Sequence, residues 1–462
     1  MGVAGLADAV LDRIDAYIDT HLERYVDELI QLCAQPSVSA QDWGMGECAD
    51  LVTDLLRRHG AEAEQFETGG NPIVVARIGG RSDRTLLFYN HYDVQPAEPF
   101  DLWTHPPFEP VVRDGKLFAR GARDDKGEII ARIAAVDALA DACGGRLPCS
   151  VLFVIEGEEE ISSPHIAAFV QDHADMLRCD GAVWEEGGVA RDGNPILPLG
   201  VRGILEVELM VRTLSRDAHS GTTHLLPSAA WRLVWALSTL KGPDERIRIP
   251  GFYEHAHAPS EQDLALLDGL AERNPQFAEQ LRRLYGNREF VAGRDNRDLQ
   301  RSVFTPTCSI DGMGSGYQGQ GAKTIVPSTA MAKLDFRLVP DQDPHEIYGK
   351  LRRHLDDEGF QDVEMRMLGW MRPARMDLDD PLVRLTVRTG REVYGGEPSI
   401  VPLIGGSSPA YAFAETLGTP VVTAGVGYWD NCDHAPDEHV RIADLRNGMR
   451  HIARILAGFG GI

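Results

Sequence analysis

Histidines and acids recur along this chain in three tight groups: His91-Tyr92-Asp93, Asp124-Asp125 ahead of Lys126-Gly127, and Glu158-Glu159-Glu160. Each group follows a short apolar run (Thr85 to Tyr89, Leu117 to Phe118, Val151 to Ile155), so each can sit where a buried strand ends. Imidazoles and carboxylates delivered repeatedly to strand ends are the donors of a metal site built for chemistry. His91 and Asp93, two apart, share one face of a strand. A carboxylate that takes the proton of an imidazole's far nitrogen fixes the tautomer that binds metal, which suits Asp93. Taken singly, the groups also have plainer readings: a polar pair at a strand end, helix-capping acids at Asp124 and Asp125, and a solvated glutamate run. One shared site accounts for all three with fewer coincidences.

Elements able to carry these groups alternate along the first part of the chain. Leu11 to Cys33 and Gly46 to His59 have helical spacing, the second closed by Gly60. Strands are predicted at Ile73 to Ile78, Leu86 to Tyr89, Ser150 to Ile155 and Gly181 to Trp184. Helices run from Lys126 to about Ala142 and near Ile166 to His173. The alternation predicts an α/β fold, a mainly parallel sheet covered by helices on both faces. From about Gly203 the texture changes. Ile204 to Val211 and Thr329 to Leu338 alternate apolar with polar positions, while Ser228 to Leu240 and Pro344 to Asp357 are amphipathic helices. These describe a small two-layer domain inserted into the first. Ala258 to Arg301 reads as helical without a clear place. After Pro373 the earlier rhythm returns, with helices at Pro381 to Tyr394, Pro409 to Glu415 and Ile442 to Leu456, and a strand at Pro420 to Thr423. The expected division is 1–202 and 377–462 for the larger domain and 203–376 for the insertion.

At 462 residues the chain is too long for one ordinary core. Its 43% hydrophobic and 25% charged residues are those of a globular protein, and a net charge of −24 argues against nucleic acid or an anionic membrane as partner. The start of the chain lacks a signal peptide's basic and apolar regions, and no apolar run approaches the ~20 residues of a membrane span. A cytoplasmic location is expected. The seven cysteines, odd in number and without a Cys-x-x-Cys pair, read as reduced thiols.

The segments Asn90 to Pro96 (Asn-His-Tyr-Asp-Val-Gln-Pro), Gly115 to Gly127 and Glu156 to Glu160 resemble the dinuclear zinc peptidase and deacylase family. That family includes cytosolic nonspecific dipeptidase, carnosinase, carboxypeptidase G, acetylornithine deacetylase and succinyl-diaminopimelate desuccinylase. The likeness continues through Gly200 to Gly203, His219 to Gly221, Ala322 to Pro327, Arg337 to Pro340, Gly405 to Ser407 and His434 to Glu438, and is greatest for the dipeptidase and carnosinase branch. It implies a zinc-hydrolase catalytic domain with an inserted α+β lid and dimerisation domain, and two zinc ions per subunit, manganese or cobalt being alternatives. By resemblance His91 binds one ion, Asp124 bridges both, and Glu160 and His434 bind the other. The fifth ligand stays open between Glu185 and Glu186, with spacing favouring Glu186. The resemblance makes Glu159 the general base for the attacking water, gives Asp93 the supporting role beside His91, and implies a cis peptide between Asp124 and Asp125. It has His219 polarise the scissile carbonyl, often from the partner subunit, and Arg337, Gly406 and Ser407 hold a substrate's free carboxylate.

The implied activity is hydrolysis of the amide bond in a dipeptide or short peptide, with a deacylase of N-acyl or N-carbamoyl amino acids as the alternative. A homodimer is expected. Departures from the family fall at Thr222 to Pro227, Leu403-Ile404 and Thr324, which touch the expected pocket and leave the metal-binding acids intact.

Overall fold

The computed structural model describes residues 3–462. Two compact units emerge: the first runs to Leu199 and takes in Met376–Ile400 and Pro409–Ile462, and the second is Gly200–Arg375 with Val401–Ser408. Val401–Ser408 therefore belongs with the second unit. The sequence boundaries placed that stretch, with Gly406 and Ser407, in the C-terminal segment of the larger domain. Its own contacts explain the difference, since Ile404 N donates to Gly200 O and Arg202 N to Gly406 O.

The first unit is built on a six-stranded sheet in the order Glu62–Phe66, Ile73–Ile78, Ser150–Glu156, Thr85–His91, Gly181–Trp184, Val421–Thr423. The last four are parallel and the first two antiparallel. Central strands buried on both faces need unbroken apolar runs, and Leu86 to Tyr89, Val151 to Ile155 and Gly181 to Trp184 are buried throughout. The Ala- and Ile-rich helix Lys126–Ala142 is buried almost all round, as a helix apolar on every side must be. It packs against Val3–Ala34 and Ile442–Phe459. It ends at Gly144 and Gly145, both at positive φ, where Gly145 N donates to Ala140 O at 2.7 Å. Helix Pro381–Tyr394 has an Asp380 cap whose carboxylate accepts from Leu382 N, Pro381 in its first turn, and left-handed Gly395 at its end.

One expectation changes here. The run Leu117 to Phe118 ahead of Asp124 belongs to a separate three-stranded antiparallel sheet with Val111–Arg113 and His439–Arg441. Asp124 thus reaches the parallel strand ends from the start of a helix, while a strand three residues long carries no period that assigns it to a sheet.

The second unit contains an antiparallel sheet in the order Thr307–Ser315, Thr329–Leu338, Gly203–Arg212, Glu364–Met371. Leu205, Val207, Leu209 and Val211 face a core shared with helices Ala229–Leu240 and Pro344–Asp357, and the intervening residues are half-buried. Two of its strands had no clear sequence signal. A bulge at Ile310/Gly312 and another opposite Glu206/Val207 shift the register, so the two-residue period breaks within each outer strand. The stretch that was hard to place forms helices Glu261–Arg273, Phe277–Tyr285 and Asn296–Arg301, the first opened by a Ser260/Asp263 capping box. All seven cysteines are free. Among the described residues no helix is long and apolar enough to cross a membrane.

Three helices of the first unit are tied by one half-buried imidazole. His59 Nδ1 lies 2.6 Å from Asp137 Oδ2 and its Nε2 3.2 Å from Glu28 Oε1, with Tyr25 OH also donating to Asp137. Burial alone would lower the His59 pKa, but the two carboxylates raise it to about 9. A raised folded-state pKa contributes stability that is complete below the unfolded value near 6.5 and is lost as pH rises through about 9. Denaturant unfolding should therefore show stability falling across this window, and His59→Gln should remove that part of the slope.

Candidate metal centre

The parallel strands Thr85–His91 and Ser150–Glu156 run in register, pairing His91 with Glu156, so both deliver polar residues to the same sheet edge. His91 N and Asn90 Nδ2 donate to Asp125 Oδ2 at 3.0 and 2.7 Å. Asp125 is thereby turned inward to hold the strand end, and the Asp124-Asp125 peptide is cis. Asp124 faces the imidazoles: its Oδ1 lies 3.1 Å from His91 Nε2 and its Oδ2 3.1 Å from His434 Nε2. A carboxylate with one oxygen toward each histidine is placed to bridge two cations.

Asp93 is fully buried and lies just past the strand rather than within it. His91 Nδ1 meets both the Asp93 carbonyl oxygen, at 3.0 Å, and its Oδ1, at 3.3 Å. The same carboxylate accepts from Glu159 N at 3.2 Å and Glu160 N at 3.0 Å. One side chain thus meets the far nitrogen of the imidazole and holds the backbone of both Glu159 and Glu160. Glu160 is further held by Gln95, whose Nε2 donates to Oε2 at 2.9 Å, and that oxygen is 3.2 Å from His434 Nε2. Gly157, just ahead, has no side chain because a Cβ there would lie 2.3 Å from the Tyr92 ring.

His434 adopts left-handed φ (57°), as do Cys432 and Asp437 in the same loop, a conformation that costs about 1–3 kcal/mol and persists where surroundings enforce it. Glu438, at the end of this loop, is fully buried and ties it to the segment that carries Asp124. Its Oε2 accepts from Arg120 Nη1 at 2.6 Å, and its Oε1 from Arg123 N and Asp124 N at 3.2 and 3.1 Å. Burial raises Glu438 to about 7 against the pull of Arg120. Glu438 and Arg120 stood inside quoted motifs, but their pairing across more than three hundred residues had no sequence signal.

The strand Gly181–Trp184 delivers Glu185 and Glu186 to the same edge. Arg132, paired with Glu128 at 2.7 Å and fully buried, donates to the Trp184 carbonyl at 2.7 Å and so anchors the strand end. Glu185 is buried and its Oε2 has no hydrogen-bond partner. Burial, followed by Glu159, pushes its carboxyl far up, whereas Glu186 is raised by burial while Arg123 opposes the shift. The structure brings both glutamates into the cluster.

The titration directions expose what the cluster lacks. Burial raises Glu159 well above the ordinary carboxylate range, opposed by His91 and reinforced by Glu160, Asp124 and Asp93. Burial also pushes Asp124 upward, but hydrogen bonds from His434 and His91 hold it well below that range. His434 is raised to about 10 by Asp124 and Glu160. Glu160 Oε1 is a second buried oxygen without a partner. Crowded acids, two imidazoles sharing protons with them, and orphaned buried oxygens fit divalent cations, which displace such protons on binding. Asp124, Glu160 and His434 offer donor atoms within 4.8 Å of one another.

The other expected site residues lie in the second unit. Arg337, in Thr329–Leu338, donates from Nη1 to Ser407 Oγ at 2.9 Å and from Nε to Asp335 Oδ2 at 3.0 Å. Gly406 accepts from Arg202 N at 2.8 Å. His219 is exposed, and its Nδ1 accepts from Gly221 N at 3.0 Å.

Residues 87–458 match the model of peptidase family M20/M25/M40. The chain belongs to this family. It is accordingly a metal-dependent hydrolase. This M20 chain is 28% identical to human Beta-Ala-His dipeptidase over 96% of its length and 92% of the relative's. It is 27% identical to the Cys-Gly metallodipeptidase dug1 of Schizosaccharomyces pombe, over 95% and 96%. Among solved structures it superposes on the M20 family metallo-carboxypeptidase Sso-CP2 of Sulfolobus solfataricus with a TM-score of 0.89 at 33% identity, covering 95% of this chain and 99% of that one. Human carnosine dipeptidase 1 gives 0.77 at 26%, covering 98% and 100%.

Glu438→Ala should leave Arg120 buried without its partner and destabilise the protein by about 3–5 kcal/mol. The shift of the denaturation midpoint measures it, and an unchanged midpoint would show that the pair does not hold the loop.

Proposed function

We propose that the chain is a dipeptidase-type metallohydrolase that cleaves the amide bond of dipeptides or short peptides with a free carboxylate. The observation that carries this reading is the placement of Glu159. Its backbone is bound by Asp93, and its carboxyl, raised by burial, lies among His91, Asp124 and Glu160. A carboxylate with elevated proton affinity suits a base that takes a proton from the attacking water and returns it to the leaving amine. Two divalent cations, zinc in this reading with manganese or cobalt as alternatives, would acidify that water and polarise the scissile carbonyl. His91, Asp124, Glu160 and His434 are assigned as ligands, with Asp124 shared. Asp93 keeps His91 and the Glu159-Glu160 turn in place.

Glu186 is our choice for the fifth ligand, since its strongest charged neighbours are Arg123 and Asp124, whereas Glu185 is placed against Glu159. Arg337 and Ser407, hydrogen-bonded to each other, and Gly406 are assigned to the substrate's carboxylate. His219 is assigned to the developing oxyanion. The dipeptidase names of the relatives support peptides ahead of N-acyl amino acids as substrates. We assign a homodimer, in which His219 acts across the two-fold axis, and a cytoplasmic location that suits seven free thiols.

Glu159→Gln should lower turnover of dipeptides by about 10²–10⁴-fold while two metal ions per chain are retained. Metal analysis alongside the assay checks both halves, and full activity in the variant would remove Glu159 as base. In the same analysis Glu186→Gln should hold one ion where Glu185→Gln holds two.

A further inference from the structure

Arg123 immediately precedes Asp124, and its side chain is folded against the acid cluster with 14% exposed. Nη1 stands 3.8 Å from Asp124 Oδ2 and 3.5 Å from Asp433 Oδ2. Its Nε has no hydrogen-bond partner, and the group lies so close to Gly427 that a Cβ there would come within 2.9 Å of Nε. The guanidinium is therefore packed against Gly427 with little room around it. It is surrounded by Asp433, Asp124, Glu186 and Glu128, which keep it charged.

A separation of 3.8 Å is too long for a hydrogen bond, so Arg123 does not aim Asp124. That work is done by His91 and His434 at its two oxygens and by Glu438 at its backbone N–H. What Arg123 adds is a permanent positive charge beside the carboxylate assigned to both cations. Like charges a few ångströms apart in a partly buried setting repel strongly, and water screens them poorly there.

We propose that Arg123 acts on the site through its charge beside Asp124 and not by aiming that carboxylate: it weakens the hold of the site on its second cation. The inference rests on the reading of Asp124 as the shared ligand. Charge and geometry predict opposite outcomes. Were Arg123 a prop for the ligands, its loss would loosen metal binding; as a repelling charge, its loss must tighten it.

The test is titration of metal-stripped full-length protein with zinc, and separately with manganese, in competition with a chromophoric chelator. Wild type should bind two ions, Arg123→Gln should bind the second at least about tenfold more tightly, and Arg123→Lys should stay near wild type. Arg123→Met, whose stem fills the same space, replaces the Gln variant should that one not fold. Two ions in wild type with equal or weaker second-site affinity in the uncharged variant overturns the role of Arg123 and leaves the ligand assignment standing. A wild type that takes up fewer than two ions overturns the assignment itself, and the inference with it.

Discussion

Carboxylates gathered at the mostly buried end of a sheet repel one another, and the first unit is arranged around that repulsion. The outer acids have hydrogen-bond partners of their own: Asp125 has Asn90 and the His91 N–H, Asp93 two backbone N–H groups, and Glu438 and Glu128 the charged Arg120 and Arg132. The inner acids, Asp124, Glu159, Glu160, Glu185 and Glu186, have few positive neighbours beyond His91, His434 and Arg123. Satisfying the shell and starving the centre gives the pocket its affinity for cations. The cost is carried by the apolar helices and strands beneath, where each fully buried Leu, Ile or Phe contributes about 1.5–3 kcal/mol.

The division of labour between Asp124 and Asp125 follows from the same constraint. With four glutamates already crowding the centre, a second aspartate there would add to the repulsion, and one of this pair is turned to scaffold duty. Asp125 holds the end of Thr85–His91 while Asp124 faces the histidines. Asp93 serves two masters at once, fixing an imidazole and the turn that presents Glu159 and Glu160. The chemistry therefore rests on hydrogen bonds to backbone, which point along fixed directions and tolerate little drift.

Much of this was legible in the chain. The buried strands announced themselves as unbroken apolar runs, and His91, Asp124, Glu159, Glu160 and His434 stood in long, specific motifs. What escaped was local in a different sense. Lys116–Phe118 is too short to show which sheet it joins, and the outer strands of the second unit hide their period behind bulges. Gly406 and Ser407 follow the second unit because of backbone pairing to Gly200 and Arg202, which no residue type advertises. Glu185 and Glu186 resist separation because strand alternation stops at Trp184 and the backbone then bends through Gly187 and Gly188, both at positive φ.

His434 and Asp124 are 310 residues apart, and Glu438 grips the Asp124 backbone across a similar span. Such distant pairings form slowly, because the chain must close a long loop before any contact repays the entropy. A chain emerging from the ribosome therefore carries His91, Asp124 and Glu160 at least about 270 residues before His434 and Glu438, which meet Asp124 in the folded structure, have been made. The cluster around Asp124 thus waits on one long-range closure, made only when the His434–Glu438 loop folds back onto the Arg120–Asp124 segment.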